Sequence, residues 1–175
     1  MNKVFGKKTD FSHIREDASR VIVSYGYQEV DDENATWFEL YFYKKKVSQV
    51  SLADVEKAVI ADINAQTDER ILSGFAWNGK PVWLSTENQF NFKAAYDVAI
   101  QTDGENLPVK FKLGEDEEGH PVYHTFDAQN AFNDFYTKAI AYINQCLNDG
   151  WTRKDAIDWT PYESHFPEPS NGQGS

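Results

Sequence analysis

The segment that most constrains this chain is "FAWNGKPVWLSTENQFNFKAAYDVAI", Phe75 to Ile100. Asn78-Gly79 between apolar flanks specifies a two-residue hairpin turn, because both central positions of such a turn need positive φ. Phe75 and Trp77 lie on its first strand, Val82 and Leu84 on its second. Ser85 is placed to cap a following helix that carries Phe90, Phe92, Ala95, Tyr96 and Ile100, and Gly104 is placed to stop it. A hairpin joined directly to a capped helix is a ββα unit.

The same order recurs downstream. "LPVKFKL" reads as a strand, "GEDEEG" as a loop, "HPVYHTF" as a strand, and "DAQNAFNDFYTKAIAYINQCLNDG" as a helix closed by Gly150. A shift of 40 residues places Gly79, Pro81, Val82, Gln89, Phe92, Tyr96, Ala99 and Ile100 on Gly119, Pro121, Val122, Gln129, Phe132, Tyr136, Ala139 and Ile140. Duplication accounts for this, and so does convergence of two units on similar cap and core residues. Upstream, "RVIVSYGYQEV" and "WFELYFYKKKV" form a hairpin around "DDENAT". Ser51 with Asp54 resembles a capping box, and Leu52, Val55, Val59, Ile60 and Ile63 recur at helical spacing, so a helix is expected over 52–64.

The fold class expected is therefore α+β: three consecutive β-hairpin–helix units whose antiparallel strands pool and carry helices on them. Residues 1–19 are expected to be an N-terminal arm, 20–70 the first unit, 71–160 a double hairpin–helix domain, and 161–175 a flexible tail. "WTRKDAIDW", Trp151 to Trp159, is expected to add a short helix. The expected core includes Phe75, Trp77, Val82, Phe92, Tyr96, Phe132, Tyr136 and Ile140.

Composition narrows the function. Hydrophobic residues make up 41% of the chain, far above what a disordered segment carries. The formal net charge is −11, so phosphate backbones and anionic membranes are repelled and neither nucleic acid nor membrane is an expected partner. Cys146 is the one cysteine, which rules out an intrachain disulfide and a Cys-based zinc site; its place between Ile143 and Leu147 points to packing. No apolar stretch follows the first positive charges, so no signal peptide is expected.

Chemistry-bearing patterns are scarce. His120 and His124 fall on one strand beside Pro121, where side chains four apart lie ~13 Å from each other, too far to share an ion. The acidic runs Asp31–Glu33 and Glu115–Glu118 lack the ligand alternation of a calcium loop and read as solvated turns. No nucleophile elbow, phosphate loop or dinucleotide fingerprint is present. The expectation is a non-enzyme with no cofactor and no metal.

Aromatic residues supply the positive argument. On the second strand Trp37, Glu39, Tyr41 and Tyr43 share one side, and Phe38, Leu40 and Phe42 the other, which is the better core face. If the second set faces the core, Trp37, Tyr41 and Tyr43 are partly exposed and, with Trp83, form a candidate contact surface. The alternative is that both sides are covered. A protein interface is the first reading, and a sugar platform on Trp37, Trp77 or Trp83 the second.

"ILSGFAWNGKPVWLSTENQFNFKAAYDVAIQTDGENLPVKFKLG", with "PVYHTF" and "FYTKAIAYI" downstream, resembles a domain of unknown function found in bacteriophage and prophage proteins and often encoded near tail-fibre genes. The resemblance covers about Ile71 to Asp158 and rests on the Gly74 to Gly79 hairpin, a polar helix start and a second hairpin–helix. "NATWFELYFYKKK…ADINAQTDE" is similar to the lead-in of stand-alone versions from gut bacterial phages. It implies a structural or assembly role in a phage, with other tail or virion proteins as partners, a homo-oligomer among the options, and the virion as location. That family has no catalytic residues to carry over.

Overall fold

The computed structural model describes residues 2–166. Two compact units divide the chain: residues 1–64 together with 152–175, and residues 65–151. The expected boundaries at 20, 71 and 161 are thus corrected. The division falls inside two long helices, and the first unit draws on both ends of the chain.

In the first unit, β1 (Lys3–Lys7), β2 (Ile14–Glu16), β3 (Arg20–Glu29) and β4 (Asn34–Tyr43) form one antiparallel sheet in the order β1-β4-β3-β2. The expected arm is therefore part of the sheet. Strands of five and three residues carry little strand signal of their own, and the pairing to β4 and β3 fixes them. Helix α1 (Leu52–Ser73) starts at the predicted capping box: Ser51 N–H donates to Asp54 Oδ2 at 3.0 Å, and Asp54 N–H donates to Ser51 Oγ at 3.2 Å. Val55, Val59 and Ile63 pack with Val21, Val23 and Tyr25, and Phe38, Leu40 and Phe42 border the same cluster. Ile60, expected to share that face, is exposed.

The helix runs nine residues past its expected end because no breaker intervenes before Gly74, whose N–H donates to Arg70 O at 2.9 Å. Helix α4 (Thr160–Glu163) lies in the expected tail, yet Tyr162 and Phe166 are buried in this unit's core. The tail is thus packed through residue 166, and 167–175 lie outside the described residues.

The second unit holds β5 (Phe75–Trp77), β6 (Lys80–Val82), α2 (Thr86–Gln101), β7 (Val109–Glu115), β8 (Pro121–Phe126) and α3 (Gln129–Asp155), the last four residues of α3 belonging to the first unit. The architecture is α+β, with three hairpin–helix units in series and only antiparallel pairs among the described strands. The strands do not pool; they divide into one four-stranded and two two-stranded sheets. Trp83 N–H still donates to Leu113 O at 2.7 Å, tying the end of one hairpin to the other.

Asn78 (φ 50°) and Gly79 (φ 73°) form the expected turn. A Cβ at Gly79 would meet nothing within 4 Å, so the cost of substitution there is conformational alone. Gly79→Val is expected to destabilise this unit by more than about 1 kcal/mol, read as a lowered melting midpoint. An unchanged midpoint would contradict the turn. Ser85 caps α2, accepting from Asn88 N–H at 3.2 Å.

Helices α2 and α3 pack together, with Tyr96 stacked on Tyr136 at 4.3 Å and Phe92 against Phe135 at 5.1 Å. Positions matched by the 40-residue shift share their surroundings: Phe92 and Phe132 are buried, as are Ala99 and Ala139, whereas Ile100 and Ile140 are both exposed. Ile140 is therefore corrected from core to surface, and Phe90 likewise faces solvent. Gly150 does not end α3. It sits buried inside the helix, where a Cβ would lie 2.6 Å from Thr67 Oγ1, and the segment expected as a separate helix supplies α3's last residues.

Candidate functional site

The four contact candidates do not share one environment. Trp37 is only 2% exposed, which corrects its reading as a surface residue. Strand β1 and the segment after it cover that side of the sheet: a side chain at Gly6 of β1 would come within 2.9 Å of the Trp37 indole, and Phe11 packs on its ring at 5.7 Å. Beside it Glu39, 4% exposed, accepts from Arg15 Nη2 at 2.7 Å, Trp37 Nε1 at 3.0 Å and Tyr41 Oη at 3.0 Å. Three donors make this buried carboxylate tolerable.

Burial, followed by the Glu39 hydrogen bond, raises the Tyr41 pKa, and the Arg20 guanidinium stacks on Tyr41 at 4.1 Å. Only Tyr43, 63% exposed, stands clear. Trp83 belongs to the other unit, half-buried with Lys112 Nζ 5.3 Å from its ring. Trp77 is 4% exposed, so neither it nor Trp37 offers a free ring face to a sugar.

The histidines also separate. His120 lies exposed on the turn near Asp116 and Glu118, whereas His124 is half-buried, 4.9 Å from the Trp77 ring. Among the described residues no group of three His, Cys, Asp or Glu could hold a metal ion. Cys146 is buried in the second unit's core.

A cleft of about 360 Å³ lies in the first unit. It lies along the outer edge of β3. Strand β2 reaches only to the pair Ile14↔Val23; beyond it, Ser24 N–H donates to His13 O at 2.9 Å and Tyr162 Oη donates to Ser24 O at 2.7 Å. Past Ser24 the register with β4 slips between Tyr25 and Gln28, and Gly26 takes φ 66°. A glycine in the left-handed region at a register slip is a β-bulge, which bends the strand. Gly26, Tyr27 and Gln28 are exposed, with Phe11, His13, Phe38 and Tyr162 among the walls.

The cleft's ionisable groups are pinned by its apolar walls. Burial pushes the Tyr162 hydroxyl up to about 12, with Asp158 acting in the same direction. Arg153 lies over the Phe38 ring at 5.4 Å. Burial lowers the His13 pKa, nearby His165 adds to the effect, and Asp158 opposes it. A histidine whose folded pKa lies below its unfolded value of about 6.5 favours the fold fully above that value and loses the contribution as pH falls through the folded value. The first unit is therefore expected to melt progressively lower as pH drops below about 6.5. His13→Gln should flatten that slope in melting curves recorded against pH.

The cleft is not legible in the sequence, since its walls come from residues 11–28, from Phe38 and Ile63, and from residues 153–162. The one local signal is Gly26 within "VSYGYQEV", because glycine inside a strand pattern marks a bulge or a close approach.

The family comparison covers only part of this architecture. A family model described as Domain of unknown function (DUF4376) matches residues 54–165, well over half of the chain. The chain belongs to the DUF4376 family. No curated protein matches the chain, and no solved structure does. The DUF4376 segment takes in α1 from Asp54, the whole second unit, and α4. It leaves out β1 to β4, so the cleft is built from the family segment on one side and the added sheet on the other.

Proposed function

We propose that this DUF4376 protein is a non-enzymatic phage structural component, tail- or virion-associated, that joins other proteins by taking an extended segment of a partner along the open edge of β3. The observation that carries this reading is the edge itself. Gly26, Tyr27 and Gln28 are exposed beyond the reach of β2, and they border a cleft walled by aromatic rings. A strand edge is complemented by another main chain, and pockets beside it select alternate side chains. The net charge of −11 favours a protein partner over nucleic acid or an anionic membrane. The phage setting rests on the resemblance of the Gly74 to Gly79 hairpin and its following helices to phage and prophage domains.

The test is peptide mass spectrometry on purified particles of the phage or prophage that encodes the chain. A fixed copy number beside the capsid and tail proteins is expected. Detection only in the infected-cell lysate would replace the structural role with that of an assembly factor not retained in the particle.

A further inference from the structure

We propose that Lys80 and His124 form an acid-sensitive latch, which holds the β5–β6 hairpin against β8 at neutral pH and releases it when His124 takes up a proton. The hairpin needs such a hold, because each strand has three residues and two-stranded hairpins are marginal alone. Its own Phe75, Trp77 and Val82 point into the unit's core. Besides the main-chain bond from Trp83 N–H to Leu113 O, two side-chain ties join the hairpin to the rest of the unit: Trp77 Nε1 donates to Asp134 Oδ2 at 2.9 Å, and Lys80 Nζ lies 3.1 Å from His124 Nδ1.

An ammonium group only donates, so Nδ1 is the acceptor, the ring proton sits on Nε2, and the imidazole is neutral. The ring is enclosed edge-on by Trp77 at 4.9 Å and Phe126 at 4.6 Å. A solvent proton added to Nδ1 removes the acceptor and leaves two cations 3.1 Å apart in a half-buried setting. The Lys80 ammonium then swings away, and the Asn78–Gly79 turn loses that side-chain hold.

The groups that bear on the ring decide the direction. From β6 comes Lys80; from β7 the opposite residue is the uncharged Phe111; β5 supplies Trp77. Asp127, which follows β8, favours the protonated ring. Asp134 of α3 is already engaged by Trp77 and by Lys138 at 2.9 Å. Burial and Lys80 outweigh Asp127, and the His124 pKa is lowered.

The test combines an NMR titration of the His124 ring with amide exchange across the hairpin, on the full chain. Lys80→Met is expected to shift the His124 titration upward toward the usual histidine value. In the wild type, acid is expected to cause a selective loss of protection at Trp77 to Lys80, ahead of the α2 and α3 amides. In His124→Gln that selective loss should disappear. An unmoved His124 titration in the Lys80 variant would overturn the latch. So would hairpin protection that falls equally in His124→Gln.

Discussion

Phe135→Ala is expected to destabilise the second unit by about 3–5 kcal/mol, the largest effect of any single truncation in it. Phe135 is fully buried, with Phe75, Trp77, Phe92, Phe126 and Phe132 all within 6.4 Å between ring centroids. Its neighbours come from β5, α2, β8 and α3 itself, so no single element can shift to fill the space. The cost therefore includes a cavity as well as lost burial. Denaturant unfolding followed by aromatic ellipticity measures it; a loss below about 1 kcal/mol would mean that the cluster repacks, and the packing described here would be wrong.

Trp37→Ala is expected to cost about 3–5 kcal/mol in the first unit. The indole fills the space opened by Gly6 and covered by Phe11, and its Nε1 is one of three donors to Glu39. Truncation leaves both a cavity and a buried carboxylate short of a donor, and the second adds to the first. Trp37→Phe keeps most of the volume and loses only the hydrogen bond, so it should fall between the wild type and Ala. A surface tryptophan would show almost no change in either variant. Equilibrium unfolding of the two variants thus decides between a core residue and a contact residue.

These two positions also show what the sequence made legible. The capping box at Ser51, the Asn78–Gly79 turn and the Ser85 cap were readable because each depends on chemistry within a few residues. Phe135 is legible in principle, since Phe132, Phe135 and Ala139 recur at helical spacing, although the expected core names Tyr136 and not Phe135. Trp37 was not decidable locally. Both sides of β4 carry large apolar groups, and which side is more deeply covered depends on where residues 1–19 go. Gly150 misled for the same reason: a glycine is a stop signal by propensity, but here it answers to Thr67 from another helix. The cleft combines residues more than a hundred positions apart, beyond any local pattern.

The proposed role places a partner protein along the β3 edge. A photo-crosslinking amino acid placed at Gln28, on that edge, and at Glu117, on an exposed turn of the other unit, tests it in assembled particles. A crosslink from position 28 to another virion protein, and none from position 117, is the expected result. Equal capture from both positions, or none from position 28 in particles that contain the protein, would contradict it.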